Sequence, residues 1–81
     1  MKYYIKSGQR VLSGFYPNDI PGVFAFRKYD FYCFDTWSEA NDFLSRVISE
    51  VNEQSNVLRY GKYAKKHQSL AKNLKITLGR L

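Results

Sequence analysis

The chain has one cysteine, Cys33. No internal disulfide can staple the fold, which fits a reducing, cytoplasmic setting. It has one histidine, His67, so no pair of histidines or cysteines stands at metal-ligand spacing, and no glycine-rich phosphate loop is present. No apolar run approaches the roughly 20 residues of a membrane span. The opening Met1-Lys2-Tyr3-Tyr4-Ile5-Lys6 lacks the apolar core of a secretion signal. Internal repeats and low-complexity tracts are missing as well. These absences argue against an enzyme and against any metal or cofactor. His67 falls on the apolar side of a helical pattern, where a packing histidine is expected. Cys33 lies in an aromatic strand and reads as a small core residue.

The most informative absence is of acid. Residues 58–81 carry Arg59, Lys62, Lys65, Lys66, Lys72, Lys75 and Arg80 with no Asp or Glu. Residues 1–57 hold six basic side chains against seven acidic ones, so the whole formal charge of +6 originates in the last third. Such segregation points to an anionic partner, nucleic acid being the commonest. The bland alternative is a solvated face that keeps a small protein soluble.

What is present in quantity is aromatic area: seven Tyr, six Phe and Trp37 in 81 residues. One domain, residues 1–81, is expected, burying about 60% of its unfolded surface. The clearest element is a helix opening at Trp37. Ala40, Phe43, Leu44, Val47, Ile48 and Val51 recur at helical spacing, so Phe43 and Val47 are expected in the core. Thr36 precedes it with Glu39 three residues on, a capping box in which hydroxyl and carboxylate each take a free backbone N–H. Asp35, Glu39 and Asp42 add negative charge at the positive end of the helix dipole. The helix is expected to end within Asn52–Asn56.

Before that helix, Lys2–Ser7 reads as a strand, Ser7-Gly8-Gln9-Arg10 as a turn and Val11–Tyr16 as a returning strand. Pro17-Asn18-Asp19 and Pro21-Gly22 form a long turn. Val23–Phe34 is compatible with one kinked strand or with two short strands joined by a tight turn lacking the usual glycine; we favour two. After the helix, Tyr60–Ala71 places Tyr60, Tyr63, Ala64, His67, Leu70 and Ala71 on one arc and Arg59, Lys62, Lys65, Lys66 and Lys72 on the other, a basic amphipathic helix. Leu74, Ile76 and Leu78 then alternate with Lys75, Thr77 and Gly79, the pattern of a short last strand. The fold class is therefore α+β: an antiparallel sheet of three to four strands covered by one amphipathic helix, then a basic helical segment and a terminal strand.

Phe24-Ala25-Phe26-Arg27-Lys28-Tyr29 resembles part of the central strand of RNA-recognition motif domains, and the Glu39-Ala40 helix opening is similar to the helix start that comes after that strand in those domains. The resemblance implies exposed sheet aromatics that stack on bases. The sequence departs from it in placing the glycine at Gly22, in Arg27 where an aliphatic residue is usual, and in having no preceding β-α-β unit. Core packing under the helix is the reading adopted for Phe24 and Phe26. A more general likeness joins Lys2-Tyr3-Tyr4-Ile5-Lys6-Ser7-Gly8 and F-D-T-W-S-E-A-N-D-F-L to small phage and mobile-element proteins of the anti-CRISPR type. That likeness implies stoichiometric binding to a nucleic-acid-handling complex, without catalysis.

The leading expectation is binding of nucleic acid or a nucleoprotein complex through a basic C-terminal face. Its candidate residues are Arg59, Tyr60, Lys62, Tyr63, Lys65, Lys66, Lys72 and Lys75, with Arg27 and Lys28 on the sheet. Lysines would neutralise phosphates and the tyrosines would offer stacking rings. The alternative is a protein inhibitor of phage or mobile-element origin that binds protein directly.

Overall fold

Tyr3 and Ile5 begin the chain in extended form, and the sheet is built on them. The computed structural model describes residues 1–80. Strand β1 (Lys2–Ser7) turns back at Gly8, which has φ +63°, into β2 (Arg10–Val11). Glycine enters that left-handed region without the clash a Cβ would cause. β2 pairs with Lys6 and Ser7, while β5 (Cys33–Phe34) pairs with Tyr3 and Tyr4 on the same edge. The other edge of β1 is occupied along its length by antiparallel β6 (Lys75–Gly79), with Ile5 opposite Ile76. The final strand expected from Leu74, Ile76 and Leu78 is thus present.

The returning strand expected over Val11–Tyr16 divides in two. The Leu12 N–H donates to the Ile5 carbonyl at 2.8 Å, still within the main sheet, but the Ser13 N–H donates to the Ala25 carbonyl at 2.9 Å. From there β3 (Gly14–Phe15) pairs only with β4 (Phe24–Ala25), forming a separate two-stranded ribbon. Gly14 permits this because the Tyr16 ring lies over it: a Cβ there would meet ring carbons at 2.7 Å.

Val23–Phe34 does contain two short strands, β4 and β5, yet they do not face each other across a tight turn. Each belongs to a different sheet, and residues 26–32 cross between them, with Asp30 at φ +55° supplying the bend. Ser13 anchors the crossing. Its Oγ accepts from the Arg27 N–H and its carbonyl from Arg27 Nη2, both at 2.7 Å. Cys33 is exposed, not a core residue. With period-two alternation on β5, Phe34 takes the inward place and packs on the core.

Helix α1 (Trp37–Asn56) starts and ends where its pattern requires. Thr36 is extended, at φ −126° and ψ 153°, and its Oγ1 accepts from the Glu39 N–H at 3.1 Å. The reciprocal half of the box differs from expectation: Glu39 Oε1 accepts from the Thr36 hydroxyl at 3.0 Å. Thr36→Ala should therefore lower stability by about 1 kcal/mol, measured by urea denaturation. A change near zero would show that the cap contributes nothing. Lys2 forms a salt bridge with Asp35 beside this cap. The ammonium holds the Asp35 carboxyl below its usual range.

Two packed clusters share α1. Val47 meets Ile5, Leu12 and Leu74 over the sheet, as expected; Phe43 is only half-buried, its ring 4.6 Å from Tyr32 and 5.4 Å from Phe34. One turn further on, Val51 meets Val23, Tyr60 and Ala71. The chain turns at Val57 and Leu58, and the basic helix is shorter than Tyr60–Ala71 suggested at its start. Gly61 has φ +52°, so a 3-10 turn (Gly61–Tyr63) precedes α2 (Ala64–Asn73).

Candidate nucleic-acid interface

In α2 the helical period buries His67 and Ala71 and leaves Lys65, Lys66 and Lys72 exposed, with Lys62 exposed in the turn before it. None of these four lysines is in a salt bridge; among the described residues the Lys2–Asp35 pair is the one recorded. The face therefore carries uncompensated charge. Lys62 holds its ammonium 5.4 Å from the centre of the Tyr63 ring, a cation–π distance. Tyr63 is half-buried and keeps part of that ring at the surface.

Tyr60 does not belong to the face. It is 1% exposed and packs among Val23, Val51 and Ala71. It cannot stack on a base without dismantling that cluster. Tyr60 lies on the apolar arc with His67 and Ala71, and that arc is the side turned toward Val51 and Val23. Burial, and then the nearby Glu50 carboxylate, push its phenol pKa up, so it stays neutral.

The remaining candidates separate. Arg59 donates from Nη1 to Asn18 Oδ1 at 3.1 Å, tying the α1–α2 corner to the proline-bounded turn. Arg27 is committed to scaffolding through Ser13 and the Tyr16 hydroxyl, 3.2 Å from Nη1. Lys28 is exposed on the crossing segment beside exposed Tyr29. Lys75 stands opposite Lys6 across β6 and β1. These two lysines share a cleft of about 470 Å³ with Ser7, Gly8, Asn73 and Thr77, and no acid lines it. Like charges directly opposed on a sheet repel, and an anion between them would offset that repulsion.

Sequence reasoning missed Arg10. Read only as a turn residue, it lays its guanidinium 4.2 Å over the Phe26 ring. Phe24 and Phe26 pack on the core, as expected, but each also keeps part of its surface in a cleft beside α2. Alternation could not reveal this, since the cleft depends on where α2 docks.

His67 is 2% exposed, with its ring 5.0 Å from Tyr60 and 6.2 Å from both Phe24 and Tyr63. The packing role expected of it is the one it has. Burial, and secondly the Lys66 charge, push its pKa down. The unfolded chain takes up a proton near pH 6.5, whereas the folded chain resists it. Stability should thus be fully present above that value and fall as pH drops through it toward the lower folded pKa. His67→Phe should remove the part of this loss that lies above the carboxylate range. The check is melting temperature against pH for both proteins; parallel curves would contradict it.

Among the described residues no cluster of His, Cys, Asp or Glu could hold a metal ion, and no helix is long and apolar enough to cross a membrane. Comparison of the chain with protein-family models, curated proteins and solved structures found no match.

Proposed function

We propose that the protein binds nucleic acid, free or within a nucleoprotein complex, through the face formed by Lys62, Lys65, Lys66 and Lys72, and that it does so without catalysis. The observation that carries this reading is the exposure of all four lysines on one helical unit with no salt-bridge partner. Each such ammonium can neutralise a phosphate and release a condensed counterion. Tyr63 supplies a ring beside them, and Lys6 and Lys75 offer a second pair of cations past the end of α2. The test is fluorescence anisotropy of labelled single- and double-stranded oligonucleotides across a salt series. Binding that weakens linearly with log salt is expected. No binding at low salt would overturn the free-nucleic-acid form of the reading.

A second reading is favoured by one corner of the molecule. Leu58, at φ +60°, is 80% exposed beside exposed Val57. A non-glycine residue held in that region with its apolar side chain in water is unusual. Such a knob suits insertion into a protein pocket, as a stoichiometric inhibitor of the phage or mobile-element kind would need. Leu58→Ser would then abolish binding to the target complex, while leaving oligonucleotide affinity unchanged.

A further inference from the structure

The cleft beside α2 encloses about 480 Å³ and combines two kinds of surface. Its lining brings Phe24, Phe26 and Leu70 together with Arg10 and Lys66, and no carboxylate is among the lining residues. The volume falls within the range of small-ligand sites, roughly 300–1,000 Å³. Rings next to two cations, without an acid, select a ligand that is planar and apolar at one end and anionic at the other. A nucleotide has that form.

We infer that this cleft accepts one unpaired nucleotide of a single strand, with its base against the phenylalanine side and its phosphate held by Arg10 and Lys66. The inference rests on the proposed nucleic-acid binding and assigns that face a specific seat. Arg10 already holds its guanidinium carbon 4.2 Å from the centre of the Phe26 ring, which keeps a fork of N–H donors beside the aromatic wall where a phosphate can be met. Lys66 belongs both to the cleft and to the exposed lysine row, so a strand following the row passes the opening. Asn73 borders this cleft and the one containing Lys6 and Lys75, which places the next pair of cations along the same path. His67 forms part of the cleft wall, but both of its ring nitrogens are buried, so its ring contributes packing surface there and no contact to a base edge.

The test titrates the isotope-labelled full chain with adenosine 5′-monophosphate, adenosine and inorganic phosphate, following backbone amide shifts. The monophosphate should saturate with a dissociation constant on the order of 1 mM or tighter, shifting the amides of Phe24, Phe26, Ser69 and Asn73, and should compete with a labelled single-stranded oligonucleotide. Arg10→Gln should weaken the monophosphate at least about tenfold, as expected for losing one charge-assisted hydrogen bond. Ser69→Trp, which fills the opening from an exposed position, should do the same with both cations still present. The Lys62/Lys65/Lys72 triple Gln variant should keep monophosphate binding while losing oligonucleotide affinity. Shifts confined to other residues, or equal binding of inorganic phosphate alone, would overturn the inference. Full oligonucleotide affinity in folded Ser69→Trp would overturn it too and leave the nucleic-acid reading standing. Monophosphate seated in the cleft with no oligonucleotide binding would support the seat and sink the wider reading.

Discussion

Replacing Lys62, Lys65 and Lys66 together by Gln is expected to lower affinity for a single-stranded oligonucleotide by about a hundredfold or more at 50 mM salt, and to flatten its salt dependence. Each lost phosphate contact removes about 0.7 from the log–log slope for a single strand, or about 0.9 for duplex DNA. Three losses thus flatten the slope by about two to three units. The melting temperature should barely move, because all three side chains are exposed and Lys and Gln have similar helix propensities. Anisotropy across a salt series, with thermal melts of both proteins, measures the two effects together. An unaltered slope would place the interface elsewhere, with exposed Lys28 and Tyr29 or the Lys6–Lys75 cleft next in order.

Leu12→Ala should have the largest effect on stability, a loss of about 3 kcal/mol. Leu12 is 0% exposed and packs with Ile5, Val47 and Leu74, so truncation leaves a cavity at the centre of the sheet–helix layer. Its backbone also links three segments: the N–H donates to Ile5, and the carbonyl accepts from the Tyr32 N–H at 3.1 Å. Those bonds survive the substitution, so the site can collapse only a little. A domain of this length is stable by roughly 4–12 kcal/mol. The shift in urea midpoint at constant m-value reads the loss directly, and a loss below about 1 kcal/mol would mean that the site repacks.

Helix α1 was legible because its signals are local: a capping threonine, a helical period and the charges of the first turn all lie within one stretch. The last strand was legible for the same reason, through the alternation of Leu74, Ile76 and Leu78. The second ribbon was not. Whether residues 11–16 continue one strand or change sheets depends on which carbonyl Ser13 meets, and Ala25 is distant in sequence. Cys33 was misplaced because an aromatic block gives no phase: with Tyr32 and Phe34 on either side, periodicity alone could not say which residue faces in. The apolar arc through Tyr60, His67 and Ala71 was legible too, and these three residues are buried; the error was to count Tyr60 as a stacking ring although it lies on that arc. The lysines of α2 were found correctly as a charged face, but Arg10 was invisible as a partner to it, since only tertiary packing brings the first hairpin beside Lys66.

The opposition of Lys2 to Gly79 across β1 and β6 gives the protein a particular order of assembly. During synthesis β1 is made well before β6, its longest partner, with both helices made in between. The hairpin through Gly8 can close within microseconds, but the outer row must wait for that intervening chain and bear the entropy of closing it. Until then one edge of β1, with Tyr3 and Ile5 along it, is open to any passing strand, the situation in which nascent chains pair with one another. Lys2 and Lys6 stand near the two ends of that edge. Their mutual repulsion between neighbouring copies guards the strand while it waits, a task finished once β6 arrives.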